Sequence, residues 1–413
     1  MHITPTYQLE CLLAKARKEE FACILLSNQF EDQYGRYELM AGFGETHRYR
    51  DLSLIPKTSA IPLFGYVGYD YKNNIETMLH SRHSVLVEFD RLGFVSPREW
   101  VVLGRDSQVF GDANLLHCDT IIHADNDKDL PQWRAQTLRE EYLNIVEKIK
   151  AHIIEGDFYE MNYCIAFSAE ITLDPYSIFL TLNAISPAPF SVFLKEGDRY
   201  LLCASPERFI TQFQGKLISQ PIKGTRRRLG DFAQLQSDAM LLSQDLDVAN
   251  ELLGSEKDRS ENIMIVDLVR NDLSRICQVG SVVVPSLCSL HSFSHVHQLI
   301  STVQGIPLLG ISLKDVFHAT FPMGSMTGAP KIAVMQYAEK LENFSRGLYS
   351  GSVGYVWNQE FDFNVVIRAL QYDSQAKYLA YAVGGAITFD SIAEMEYQEC
   401  LDKAASVLSV FHP

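Results

Sequence analysis

The sequence predicts an α+β fold, and three observations carry that prediction. Strand-like runs are grouped between helical stretches, without strict β-α-β alternation. The helical stretches repeat apolar residues at helical spacing, whereas the strand-like runs alternate or are bounded by turn residues. The chain has 413 residues and 47% apolar content, enough for one large domain or two intimately packed ones.

Taken in order, residues 21–102 read as strands and turns. Phe64-Gly-Tyr-Val-Gly-Tyr-Asp-Tyr71 mixes aromatics with glycines, which suits tight strands packed on helices. Residues 123–132 are polar and hold three aspartates, an asparagine and a proline, the best candidate for a linker. The chain therefore divides into an N-terminal β-rich part (1–122), a linker (123–136) and a larger C-terminal part (137–413). Leu138, Tyr142, Ile145, Val146, Ile149 and Ile153 recur at helical spacing, and Gly156 fits just past the helix end. The next run alternates, with Met161, Tyr163, Ile165 and Phe167 on one face and Glu160 and Asn162 on the other. Strands follow over 189–221, with turns at Glu196-Gly-Asp198 and Gln214-Gly215. Residues 229–255, 255–276 and 328–341 read as helical, and 347–387 as strands. A last helix opens with Ser391-Ile-Ala-Glu394, a capping box.

Composition excludes several roles. A net charge of −15 argues against general nucleic-acid binding, which needs a basic surface. A small anionic substrate remains compatible, because a local cationic pocket can sit in an acidic protein. The eight cysteines are scattered, with no Cys-x-x-Cys pair and no zinc spacing, so reduced thiols in a cytoplasmic protein are expected. The first residues lack a signal-peptide pattern, and no apolar stretch reaches membrane-spanning length.

Several residues stand out chemically, each with a plain structural alternative. Lys223, beside Gly224 and Thr225 at the end of a β-rich run, becomes a nucleophile if burial lowers its pKa; most such lysines are solvated. Glu207, in Ser205-Pro-Glu207 after an apolar strand, suits a desolvated general acid or a plain turn. The last helix carries Glu396 and Glu399 at i,i+3, with Lys403 four residues on; an earlier helix repeats the pattern with Asp258 and Glu261. These are either solvated helix faces or, taken together, an oxygen-only site for Mg²⁺. Gly324-Ser-Met-Thr-Gly-Ala-Pro-Lys331 lacks phosphate-loop spacing and reads as a helix entry, with Thr327 as cap and Pro330 in the first turn. Ser325 is still free to face a pocket. Gly384-Gly385 ends a strand and offers backbone N–H groups to a carboxylate. Arg368, on an otherwise apolar strand, needs an anion, either a ligand carboxylate or an internal acid. Arg226 to Arg228 either steer an anion or form an exposed turn.

The blocks Pro221-Ile-Lys-Gly-Thr225, Ile265-Val-Asp-Leu-Val-Arg-Asn-Asp272, Pro322-Met-Gly-Ser-Met-Thr-Gly-Ala-Pro-Lys331 and Gly347-Leu-Tyr-Ser-Gly-Ser-Val-Gly-Tyr355 resemble, in order, those of the chorismate-binding enzymes. The resemblance covers roughly 138–411 and extends to the N-terminal part through Leu25-Leu-Ser-Asn28 and the 65–70 block. It implies a single α+β unit of two large antiparallel sheets packed face to face, with helices outside. Anthranilate-forming members resemble Pro-Ile-Ala-Gly-Thr; members that aminate at C4 have lysine, as here. The resemblance thus implies conversion of chorismate and ammonia to 4-amino-4-deoxychorismate, toward 4-aminobenzoate and folate, with anthranilate formation as the alternative. Lys223 would attack C2 while Glu207 assists departure of the C4 hydroxyl. Mg²⁺ would be held by Glu261 and Glu399, with Asp258 and Glu396 close by. Tyr349, Arg368, Gly384 and Gly385 would bind the enolpyruvyl carboxylate side, and Gly224, Thr225, Ser325 and Lys403 other parts of the pocket. Ammonia would come from a separate glutaminase subunit, since the chain has no Gly-x-Cys-x-Gly turn. A non-catalytic scaffold for a glutaminase fits poorly with Lys223, Glu207 and four retained carboxylates. There are departures. Glu160 stands where water-adding members have lysine and amine-adding members usually glutamine. Gln298, after His297, stands at a family histidine, and Ala386 replaces a glycine. Leu25-Leu-Ser-Asn28 is all that remains of the feedback motif of tryptophan-regulated relatives.

Overall fold

The computed structural model describes residues 5–118, 122, 130–230, 232–293 and 296–411. Two antiparallel sheets dominate, one of 11 strands and one of 10 among the described residues. Strands from both ends of the chain interleave in each. Phe21–Leu26 pairs with Phe190–Glu196 in the larger sheet, and Leu63–Val67 pairs with Ser352–Trp357 in the smaller.

Alternation explains the layering. On the strand Glu160–Glu170, Met161, Tyr163, Ile165 and Phe167 enter one apolar cluster, and Cys164 and Ala166 enter another. The first cluster lies under the helices Pro5–Ala16, Arg139–Glu155, Pro175–Ile185 and Ala393–Leu408. The second joins the inner faces of the sheets to the helices Glu256–Ser274 and Leu313–Thr320. This strand is thus buried on both faces, and the face read as polar is an interior one.

The helix Arg139–Glu155 ends as its sequence predicts, with Gly156 in the left-handed region at φ 86°. Gly197 and Gly215 sit at the tips of the expected turns, at φ 59° and 75°. Other expectations are corrected. The capping box does not form: the last helix begins at Ala393, and the Ser391 hydroxyl donates instead to Glu396 Oε1 (2.8 Å). Thr327 caps nothing; its hydroxyl bonds back to Met323 O (3.1 Å), and Gly328–Ala329 pairs with Glu160–Glu170 before the helix starts at Lys331. The long hairpin Val283–Ser292 and Val296–Gly305 was not read from the sequence. The cysteines are not all free: Cys11 and Cys118 form a disulfide across 107 residues, while the other six are buried thiols. Half of the linker candidate, 123–129, lies outside the described residues; in its second half Arg134–Ala135 pairs with Glu160–Glu170. No described helix is long and apolar enough to cross a membrane.

Candidate active site

Chain crossings between the sheets build the site. The strand Arg199–Ser205 belongs to the larger sheet and Arg208–Phe213 to the smaller, so Pro206 and Glu207 lie where the chain passes from one to the other. The segment after Glu360–Asn364 passes back, and the two crossings lie side by side. Val365 N donates to Glu207 O (3.0 Å), and the Ser205 hydroxyl donates to Val365 O (2.6 Å). Glu207 is consequently buried. Desolvation pushes its carboxyl up to about 7, against the opposing pull of Ser325, Lys223 and the Ile222 backbone. The Ser325 hydroxyl donates to Glu207 Oε1 at 2.7 Å from the short turn Gly324–Met326.

Lys223, Gly224 and Thr225 lie on the strand Ile222–Arg227, at one end of the smaller sheet beside Val296–Gly305. Gly224 adopts φ 84°, and a Cβ there would meet Asp258 Cβ at 2.9 Å. Glycine thus lets this strand press against the start of the helix Glu256–Ser274, which Ser255 caps by accepting from Asp258 N (3.2 Å). Lys223 Nζ donates to Glu160 Oε1 at 2.8 Å, with side-chain exposures of 10% and 1%. The expectation of a depressed lysine is corrected here. Burial alone would push Lys223 down, but Glu160, then Glu261 and Glu207, outweigh it and hold the ammonium above the ordinary lysine range.

The four metal candidates come from the two helices that face one another. Lys257 bridges them, 3.1 Å from Glu396 and 4.0 Å from Glu261. Glu261 is pushed up to about 7 by desolvation, with Glu160 and Asp258 adding to it. Its buried Oε1 has no hydrogen-bond partner among the described residues, nor does Oε2 of Glu160. Glu399 is held below the usual range by Lys403, 2.7 Å away. Asp258 pairs with Arg226 (3.0 Å), and Glu396 accepts from Ser391 and Lys257. The donors are all oxygen and Glu261 leaves a buried oxygen orphaned, which is the chemistry a hard divalent cation takes, but among the described residues no three of these carboxylates bring oxygens within 4.8 Å of one another, so they are not gathered into a formed metal site.

Other candidates fall into two groups. Lys403 reaches the site and donates to the Gly384 carbonyl (3.1 Å). Gly384 and Gly385 do not end a strand; they lie inside Tyr378–Ile387, paired with Cys164 and Tyr163. Pairing with Ala369–Asp373 stops at Tyr381, which leaves that side of the backbone facing Lys403. Arg368 is not on a strand either. It sits in the return crossing at φ 50°, and its guanidinium makes no hydrogen bond or ion pair among the described residues. Burial lowers its pKa. Tyr349 is buried beside Cys164, whose thiol lies 4.0 Å from the phenol oxygen. Thr225 accepts from Gln298 (3.2 Å). His297 faces elsewhere, toward Ser292 (2.8 Å) and Asp245 (3.2 Å). Arg228 is buried against Asp245 (2.9 Å), so the arginine run is neither a free steering patch nor an exposed turn throughout.

The sequence reading missed a brace. Arg346 is 2% exposed and pairs with Glu342 (2.5 Å). Its guanidinium donates to Met326 O (2.7 Å) and Asn162 O (2.9 Å), tying the Ser325 turn to the strand bearing Glu160. Only the i,i+4 spacing hints at the pair, and that spacing is common on exposed helices.

The family model described as chorismate binding enzyme matches residues 15–409. The chain belongs to the chorismate-binding enzymes. It is 32% identical to aminodeoxychorismate synthase component 1 of Bacillus subtilis (strain 168), over 82% of this chain and 74% of that protein. It is 39% identical to the protein of the same name from Klebsiella aerogenes (67% and 59% covered). It is 33% identical to anthranilate synthase component 1 of Aquifex aeolicus (strain VF5) (69% and 55% covered). The matches to the Klebsiella and Aquifex proteins thus span under two thirds of those proteins. Among solved structures, anthranilate synthase component I from Streptococcus pneumoniae TIGR4 superposes with a TM-score of 0.75 at 24% identity, covering 92% of this chain and 93% of that one. The menaquinone-specific isochorismate synthase of Escherichia coli gives 0.75 at 16% identity (98% and 91% covered). These two speak to fold alone, and the fold is the one expected from the sequence.

Proposed function

We infer that this chain aminates chorismate at C4, giving 4-amino-4-deoxychorismate, with ammonia supplied by a separate glutaminase subunit. The observation that carries the reading is Lys223: a largely buried primary amine, electrostatically coupled to a carboxyl held near half-protonation, Glu207. The amine attacks C2, the Glu207 proton leaves with the C4 hydroxyl as water, and ammonia then adds at C4 and expels the lysine. Ser325 orients the acid, and Arg368 offers a free guanidinium to a substrate carboxylate. Glu261 and Glu399, with Asp258 and Glu396 beside them, would hold Mg²⁺, which would neutralise a substrate carboxylate. The Bacillus and Klebsiella relatives are named component 1, which agrees with a separate partner.

The test is to incubate the chain with chorismate, Mg²⁺ and an ammonium salt and to analyse products by mass and fluorescence. A 4-amino product from wild type and a Lys223 mass adduct are expected. Lys223→Ala should lose the adduct and shift residual product to C2 amination. Fluorescent anthranilate from the wild type, or undiminished 4-amino product from Lys223→Ala, overturns the reading.

A further inference from the structure

The geometry leaves a proton unassigned. Lys223 enters the reaction as an ammonium, held so by the acids around it, yet only the free amine attacks carbon. Bulk water does not take the proton readily, because the Lys223 and Glu160 side chains are only 10% and 1% exposed. Among the described residues one acceptor touches it, Glu160 Oε1 at 2.8 Å. The other Glu160 oxygen is buried and has no hydrogen-bond partner among the described residues. Among the described residues, no hydrogen bond or ion pair other than that to Lys223 therefore occupies the carboxylate.

We propose that Glu160 is a catalytic base, the acceptor and later the donor of the Lys223 proton, so that the two residues act as one unit that exchanges no proton with solvent. The idea rests on Lys223 being the nucleophile, as set out above. In the forward step the Nζ–H bond breaks and an O–H bond forms on Glu160. The freed lone pair bonds to C2, the two ring double bonds shift, and the C4–O bond breaks with the proton of Glu207, releasing water. When ammonia adds at C4, the electrons return through the ring and the C2–N bond breaks. Glu160 gives its proton back to Lys223, and Glu207 takes one from the new C4 ammonium. The sum is chorismate plus ammonia going to the amine plus water, with both acids and the lysine restored.

Other charged groups face the pair without replacing Glu160. Glu207 lies at the sheet crossing, Glu261 on the helix Glu256–Ser274, and Glu399 and Lys403 on the helix Ala393–Leu408. Among the described residues none of these acids comes within ion-pair distance of Lys223, whereas Glu160 does.

The experiment compares kcat against pH for wild type, Glu160→Gln and Glu160→Asp at saturating chorismate, Mg²⁺ and ammonia. Lys223 adducts are followed by mass in single turnovers. With an internal acceptor, the lysine's own deprotonation sets no limb in the wild-type profile on the alkaline side. In Glu160→Gln the proton must go to solvent, so kcat drops at least about tenfold near neutrality and the deficit shrinks about tenfold per pH unit as pH rises. Adduct formation slows in parallel. Glu160→Asp keeps a base but withdraws it, so its profile keeps the wild-type shape at a lower level. A Glu160→Gln enzyme within threefold of wild type at all pH values overturns the proposal, as does a folded one whose deficit is independent of pH. If Glu160→Gln does not fold, an aspartate variant with the rising profile overturns it equally. A wild type that forms neither adduct nor 4-amino product refutes the nucleophile reading instead, which separates the two failures.

Discussion

Replacing Ser325 by alanine removes the hydroxyl that donates to Glu207 Oε1 at 2.7 Å and changes little else in volume. A donor stabilises the ionised form of a carboxyl, so its loss raises the pKa further. A hydrogen bond to a charged group is worth about 1.5–3 kcal/mol, and one pH unit corresponds to about 1.4 kcal/mol, so the shift is roughly one to two pH units. Glu207 starts at about 7. Since in the proposed reaction it must carry a proton to release the C4 hydroxyl, the alkaline fall of kcat in Ser325→Ala should move upward by that amount, and the variant should outlast wild type at high pH. Product formation at saturating chorismate, followed across the range about pH 6 to 10, measures it. Stability gives a second readout that needs no turnover. Glu207 has a folded pKa raised above its ordinary 4.5, so its contribution is complete below the unfolded value and is lost as pH rises through about 7. In Ser325→Ala that loss continues to higher pH, and urea unfolding at alkaline pH should show about 1–3 kcal/mol less stability than wild type. An alkaline limb that stays in place or moves down refutes the assignment of Glu207 as an acid tuned by Ser325.

Two further outcomes follow from the same geometry. Glu261 is also raised from 4.5 to about 7, so at pH 8 its ionisation opposes folding by on the order of 3 kcal/mol when no cation is bound. Glu261→Gln should therefore be more stable than wild type without Mg²⁺, gain no melting temperature from Mg²⁺, and lose activity at limiting Mg²⁺; full activity there would remove Glu261 from the metal set. Gly224→Ala places a Cβ 2.9 Å from Asp258 Cβ at φ 84°. It should cost about 1–3 kcal/mol in denaturant unfolding and weaken Mg²⁺ binding, and an unchanged Mg²⁺ affinity would show that the strand's approach to the helix does not set the site.

Local chemistry was legible in the sequence where one segment decides it. The helix ending at Gly156 and the helical run over 255–276 follow from patterns within a few residues. Contacts between distant segments were not legible. Ser391 had both a capping partner three residues on and Glu396 five residues on, and tertiary packing chose the second. The Cys11–Cys118 bridge joins a helix to a loop 107 residues later, which no spacing announces. Within the site, Lys223 and Glu207 were singled out on strand-end chemistry, but the charge state of the lysine depends on Glu160, which lies 63 residues earlier and in the other sheet. The alternating pattern of 160–167 placed Glu160 opposite the apolar face, as found; it did not tell that the opposite face is also interior.

The proposed reaction would account for the buried structure that holds two backbone segments still. Glu160 accepts from Lys223 and Ser325 donates to Glu207, the two groups proposed to react, and each sits on a different element. Asn162 Nδ2 donates to Ser325 O (3.0 Å), and Asn162 N donates to Thr327 O (2.7 Å), so strand and turn are already laced together. Arg346 adds bonds to both and is neutralised by Glu342, which in turn accepts from Cys164 N (3.1 Å). A buried ion pair of this kind contributes little net stability compared with an apolar core, because desolvation offsets its Coulomb energy. What it supplies is geometry: it ties the strand bearing Glu160 to the turn bearing Ser325, and so fixes the distance between the proposed base and the hydroxyl that holds the proposed acid. Proton transfer over hydrogen-bond distance tolerates little displacement. An apolar replacement of Arg346 and Glu342 together would thus preserve the fold's energy more readily than it would preserve the reaction.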